Sequence, residues 1–271
     1  MKINQCFPGI LERRYPTVEA GYSLLTVLYL LRMKDIDAVP ISPLTPKRAR
    51  GVFGYTTLPR MLKMRPEEFA GFLDGPCEKA SSELAVLGFD EDVDDLLAAF
   101  DSKKRGFAVV HDGGRPPRAS LVTLADFLRL HARGVLRTNQ TAEQVASQFA
   151  GMRGSTSIRD ALEAMLAQGH RRIFISGKKT YVSDRSIMHY VFDPMVLEDV
   201  SAIEDVLSGP IDSITQLTPG RVKLTSKLQE AAKALLNDRG GCLTPGDGTV
   251  VTPWDVVIKP WRAGTLRWAE T

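Results

Sequence analysis

The sequence predicts an α/β fold of the α+β type, built from four copies of one small unit. Two observations carry this. Apolar stripes of helical period occur four times, and the same grammar follows each stripe: a short strand, a turn, a second strand, then a hydroxyl residue opening another helix. Each unit takes about 60 to 70 residues.

In the first copy Leu24, Val27, Leu28 and Leu31 stand at spacings 0, 3, 4 and 7, which lines one face of a helix. Val93, Leu96, Leu97 and Phe100 repeat the pattern in the second copy. Ile158, Ala161, Leu162, Met165 and Leu166 extend it to 8 in the third, as do Leu228, Ala231, Ala232, Leu235 and Leu236 in the fourth. Gly106, Gly169 and Gly240 follow three of these helices, where a left-handed cap belongs; the first copy has Asp35-Ile36-Asp37 there. Strands are predicted at Ala38-Val39-Pro40-Ile41, Phe107-Ala108-Val109-Val110, Ile173-Phe174-Ile175 and, more weakly, Cys242-Leu243. Turn formers come next, at Asp112-Gly113-Gly114, Gly177-Lys178-Lys179 and Pro245-Gly246-Asp247-Gly248, with a longer loop at Ser42–Gly51 in the first copy. The helix-opening hydroxyls are Thr57, Thr123, Ser183 and Thr252.

Length and composition agree with four units arranged as two pairs. The chain has 271 residues, 44% hydrophobic and 25% charged, the profile of a globular protein. Its net charge of +3 is too small to imply nucleic acid, though it suits an anionic small molecule. Met1–Cys6 has no apolar signal core and Leu24–Leu31 is far short of a membrane span, so a cytoplasmic location is expected. Cys6, Cys77 and Cys242 are odd in number, scattered and without a CxxC pair, and read as reduced. Gly134 and Asn139 interrupt the periodicity in Arg133–Gln140, the expected seam between the halves.

The chemistry is sought at the repeated hydroxyl. A Thr before a helix faces free backbone N–H groups and the positive end of the helix dipole, a seat for phosphate. A carboxylate three residues on accepts two hydrogen bonds from the vicinal hydroxyls of a ribose. Thr123-Leu124-Ala125-Asp126 and Thr252-Pro253-Trp254-Asp255 have both parts. Thr57-Leu58-Pro59-Arg60 places a cation at the carboxylate position, and Ser183-Asp184-Arg185-Ser186 a neutral hydroxyl. The same tetrapeptide also reads as a capping box, in which cap and acid satisfy the backbone reciprocally.

The order helix, Gly, apolar strand, turn, strand, T-x-x-D, helix resembles the cystathionine-β-synthase (CBS) domain. Ala38-Val39-Pro40-Ile41 is similar to that family's Pro-Val strand, and Gly248–Val257 to its closing signature. The resemblance runs from about residue 13 to 265 and is strongest in the fourth copy. It implies two tandem Bateman modules, residues 10–135 (units about 13–70 and 76–133) and 138–265 (units about 139–195 and 208–265), each unit a small three-stranded sheet with helices packed on one side and each pair joined through its sheets. It further implies adenine-nucleotide ligands of the AMP, ADP or ATP class, with S-adenosylmethionine as an alternative. Carried over residue by residue, Thr123 and Asp126 hold one nucleotide whose base lies near Ile36 and Asp37. Thr252 and Asp255 hold another, near His170 and Arg171. A homodimer is compatible with the resemblance.

Other conspicuous residues give no competing chemistry. Asp90-Glu91-Asp92-Val93-Asp94-Asp95 fits a solvated first helical turn better than a metal site. His111, His131, His170 and His189 lack ligand spacing, and Trp254, Trp261 and Trp268 read as core-capping residues. The sequence has no GxxxxGK[ST] phosphate loop, no GxGxxG after a strand and no GxSxG elbow. The expectation is a regulatory nucleotide sensor without catalysis, requiring no cofactor or metal, that signals to a protein partner. A scaffold binding only protein is the alternative.

Overall fold

The computed structural model describes residues 1–45, 48–114, 118–197, 199, 202–238, 241–246 and 248–269. Each predicted stripe is a helix, and its stripe residues are buried apart from Leu166 and Leu236. The first copy comprises α1 (Leu24–Lys34), β1 (Ala38–Thr45), β2 (Arg48–Phe53) and α2 (Gly54–Met61). The second comprises α3 (Val93–Lys103), β3 (Phe107–His111), β4 (Ala119–Thr123) and α4 (Leu124–Ala132). The third has α5 (Ile158–Gln168), β5 (Arg172–Ile175), β6 (Tyr181–Ser183) and α6 (Asp184–Val191). The fourth has α7 (Leu228–Asn237), β7 (Leu243–Thr244), β8 (Thr249–Val250) and α8 (Pro253–Arg262).

A further strand precedes each first helix, and the hydrophobic pattern did not announce it. Val18–Glu19, Val86–Gly88, Gly151–Met152 and Gly220–Arg221 pair in parallel with β1, β3, β5 and β7. Two or three residues are too few for a period-2 signal, so only the pairing reveals them. The expected three-stranded sheet is seen in the second and third copies. Ser82–Glu83 adds a fourth strand in the first copy, beside β2. In the fourth, β8 pairs instead with Ser147–Gln148, and Leu243 and Val251 form a lone bridge. The longer loop expected at Ser42–Gly51 is mostly strand: β1 runs to Thr45 and β2 starts at Arg48.

Capping follows local chemistry more loosely than the glycine pattern suggests. Gly169 takes the left-handed cap of α5 (φ 67°), but Asp35 (φ 50°) and Lys104 (φ 52°) take that role for α1 and α3. Gly106 serves a different purpose. A Cβ there would stand 2.5 Å from Leu124 Cδ1, so its missing side chain lets α4 close onto β3, where Leu124 N–H donates to the Gly106 carbonyl. Gly240 and Asp247, of the predicted cap and turn, lie outside the described residues. The stripes are also one position narrower than expected, since Leu166 and Leu236 are exposed.

The chain divides into two compact units that differ from the expected halves 10–135 and 138–265. One comprises Met1–Tyr15, Ala85–Phe149 and Thr218–Thr271, and so unites the second and fourth copies. Its core joins Leu96, Leu97, Phe100 and Phe127 to Ala231, Leu235, Val256 and Ile258, with α4 packed on α7 and α8. The other comprises Pro16–Leu84 and Ala150–Leu217, the first and third copies. There Leu28, Leu31, Val52 and Leu58 share one core with Leu162, Ile173, Ile187 and Val191. The physical reason is that each closing helix carries apolar residues, and helices of the alternate copy bury them. The seam at Arg133–Gln140 belongs to the first of these units, because Leu136–Arg137 pairs there with Arg267–Trp268.

Candidate functional site

In the second copy β4 ends at Thr123 and α4 begins, so the Thr123 backbone is extended while the next residues are helical. Its N–H and hydroxyl donate to Asp126 Oδ2 at 2.8 and 2.9 Å. Asp126 is only 7% exposed, and further donors surround it. The Arg13 guanidinium forks onto both oxygens, Nη1 to Oδ1 at 2.8 Å and Nη2 to Oδ2 at 3.1 Å, while also donating to the Leu121 carbonyl. Arg129 adds a bond to Oδ1 at 2.7 Å. Burial works to raise the Asp126 pKa, but the hydrogen bonds and charge of Arg13, with those from Thr123, hold the carboxyl below its usual range.

The fourth copy repeats this arrangement with different donors. Thr252 N–H and Oγ1 donate to Asp255 Oδ2 at 2.8 and 2.7 Å, and Pro253 occupies the first helical position, where no N–H is needed. Ser147 Oγ donates to Oδ1 at 2.7 Å, and Lys259 lies 2.9 Å from the same oxygen, one helical turn further along α8. Lys259 also donates to the Val145 carbonyl and to Ser147 Oγ. Asp255 is 2% exposed. Both T-x-x-D motifs are therefore capping boxes at the level of geometry, and each acid is also the buried anion of a cationic cluster. An ionised carboxylate offers about four acceptor positions, and internal donors take all of them in both copies.

The other two copies depart from this pattern in ways the sequence showed only in part. Strand register makes Phe53, facing Ala38, the counterpart of Thr123, which faces Phe107. The tetrapeptide Thr57–Arg60 thus lies one turn too late, inside α2, which corrects its reading as the closing motif. Thr57 is buried and donates to the Phe53 carbonyl, and Arg60 donates to the carbonyls of Lys79 and Ser81. A hydroxyl inside the helix satisfies the preceding turn, so the pattern matched by chemistry but missed the register. In the third copy Ser183 caps α6 as expected and Ser186 Oγ accepts from Ser183 N–H at 2.7 Å. The acid there is Asp184, buried and bonded to Arg171 Nε at 2.6 Å.

The structure joins two residues that the resemblance assigned to separate clefts. Asp37 and Arg171 form an ion pair at 3.3 Å within the unit of copies one and three. They occupy equivalent places, each just before the first residue paired in its hairpin, Ala38 or Arg172. Arg185 completes the cluster, with Nη2 2.8 Å from Asp37 and Nη1 3.2 Å from Asp35. Burial works against Asp37 ionising, yet the two guanidinium groups hold its pKa below the ordinary value. The charge of Asp37 in turn raises Arg185 against its own burial. Ile36 is half-buried beside this cluster in sequence, and His170 is exposed.

Sequence reasoning missed Arg13, Arg129, Ser147, Lys259 and Arg185. Arg129 and Lys259 had a readable signal, since they stand three and four residues after the acids on the same helices. Arg13 and Ser147 lie more than 100 residues from their acids and had none. The tryptophans pack against the core as expected, with Trp261 Nε1 donating to Asp94 at 3.0 Å. Cys6, Cys77 and Cys242 are in no disulfide among the described residues, and burial pushes the Cys6 thiol up to about 12. Among the described residues no group of three or more His, Cys, Asp or Glu side chains is placed to hold a metal ion, and no helix is long and apolar enough to cross a membrane.

No family model matches the sequence, and no curated protein matches it. Solved structures do. A protein from Methanocaldococcus jannaschii, MJ1225, proposed as an archaeal homolog of γ-AMPK, superposes with a TM-score of 0.79 at 14% identity, covering 96% of this chain and 100% of that one. An uncharacterized conserved protein from Pyrococcus horikoshii matches at 12% identity and a TM-score of 0.44, over 64% of this chain and 77% of its own. A CBS domain protein from Pyrobaculum aerophilum, complexed with AMP, matches at 13% identity and a TM-score of 0.35, over 46% and 89%. With its four strand–helix–hairpin–helix copies, three of them closed by a capping box, this chain has the fold of a CBS-domain protein.

Proposed function

We propose that this chain is a regulatory protein that binds adenine nucleotides of the AMP, ADP or ATP class at Thr123/Asp126 and Thr252/Asp255, and passes the resulting change to a protein partner. The single observation behind this reading is the recurrence of one buried acid, capped by Thr and bordered by cations, at the same strand-to-helix mouth in two copies. Such a mouth combines helix N–H groups and cations for phosphate with a carboxylate for ribose hydroxyls. Two nucleotides per chain are expected, because the first and third copies lack the acid at this position. Ile36, Asp37, His170 and Arg171, the expected base contacts, lie in the other compact unit, where Asp37 and Arg171 pair with each other. Regulation would follow from a difference in ligand affinity between two states.

Calorimetric titration with AMP, ADP, ATP, GTP and S-adenosylmethionine tests this. Asp126→Ala and Asp255→Ala should each weaken one site by about 1.5–3 kcal/mol, roughly one to two decades in Kd. No heat with any adenosyl ligand, or four equivalent sites, defeats the reading. One observation favours a protein-binding scaffold instead: internal donors already saturate both acids. A scaffold would show the same melting temperature with every ligand.

A further inference from the structure

Asp126 and Asp255 occupy equivalent places but are held differently, and we infer that Arg13 is a built-in gate: it occupies the acid that a nucleotide needs, and ligand binding at Asp126 expels it. This inference rests on the nucleotide reading above and adds a competitor to it. The vicinal hydroxyls of a ribose present two nearly parallel O–H donors, and a guanidinium fork presents two nearly parallel N–H donors. Arg13 uses that fork on Oδ1 and Oδ2 at 2.8 and 3.1 Å, so it fills the geometry a ribose would use. At Asp255 the cation is Lys259, from the same helix as the acid, and the remaining outside donor is the neutral Ser147. Of these two acids, Asp126 alone is held, among the described residues, by a charge from a remote segment.

Three features make Arg13 displaceable without unfolding the unit. Its side chain is one-third exposed, so a path to water exists. Its Nε is buried with no hydrogen-bond partner among the described residues, and release restores solvation to that donor. Arg129 remains on Oδ1 to neutralise the acid. Ile3, Phe7 and Ile10 are buried, Phe7 is edge-on to Phe127 at 5.2 Å, and Ser120 Oγ donates to the Arg13 carbonyl at 3.1 Å, so expulsion moves the Arg13 side chain and leaves the arm in place.

The test uses the full chain. AMP, ADP and ATP are titrated calorimetrically into wild type, Arg13→Ala and Arg13→Lys, with circular dichroism and urea unfolding confirming that each variant is folded. Trypsin cleavage is followed in parallel: Arg14 is exposed and serves as the internal reference for the neighbouring Arg13–Arg14 bond. If the gated form dominates, Arg13→Ala should tighten one site roughly ten- to a hundredfold, with Arg13→Lys between it and wild type. Nucleotide should also shift wild-type cleavage toward the Arg13–Arg14 bond. Binding to wild type with equal or weaker affinity in Arg13→Ala overturns the gate and leaves the nucleotide reading standing. Absence of binding to wild type and to both variants overturns the nucleotide reading, and the gate with it.

Discussion

His131 should make the unit of copies two and four sensitive to mild acid. It sits on α4, 1% exposed, and its Nε2 has no hydrogen-bond partner among the described residues. Burial pushes its pKa down from 6.5 to about 4. As pH falls through 6.5, the unfolded chain takes up a proton that the folded chain refuses until about pH 4. The stabilising contribution is thus complete above pH 6.5 and is lost progressively between the two values. Between pH 8 and pH 5 the loss should be about 2 kcal/mol, given 1.36 kcal/mol per pKa unit. His131→Leu keeps the buried volume and removes the titration. Urea unfolding of wild type and variant at the two pH values supplies the assay. His189 is also shifted down by burial and titrates in the same direction, but it is unchanged in the variant, so the difference between the two proteins isolates His131. Equal losses in wild type and His131→Leu would refute the argument, as would an NMR titration of His131 centred near 6.5.

Three further outcomes follow from particular contacts. Asp255→Ala leaves Lys259, Ser147 and Thr252 without their acceptor and should cost about 2–4 kcal/mol, somewhat below a fully buried pair because Lys259 is partly exposed; a urea midpoint equivalent to under about 1 kcal/mol contradicts this. A Cβ at Gly54 would stand 1.8 Å from Met188 Sδ, so Gly54→Ala should lose about 1–3 kcal/mol, and a double-mutant cycle with Met188→Ala should show favourable coupling. The Asp37–Arg171 pair is partly exposed, and a cycle of Asp37→Asn with Arg171→Met should give about 0.5–1 kcal/mol that fades in 1 M salt. Coupling independent of salt would show that packing, not charge, joins them.

The sequence by itself determined the repeat, its four stripe helices, the first hairpin strand of each copy and the two T-x-x-D junctions. Each is a local signal: apolar spacing within a dozen residues, turn formers between strands, or a hydroxyl and an acid three residues apart. Local signals also misled where chemistry and register disagree. Thr57–Arg60 has the composition of the closing motif but sits one turn inside α2, and only the pairing of Ala38 with Phe53 reveals it. What the tertiary structure alone decided is which copies share a core and what each acid touches. Four similar amphipathic helices offer similar apolar faces, so periodicity cannot say that the second copy packs with the fourth and the first with the third. Nor can it say that Arg13 closes on Asp126 from 113 residues away, since such a contact exists only once the intervening chain has folded. A buried carboxylate demands hydrogen-bonding partners and counter-charge, and the fold, not the motif, selects which side chains supply them.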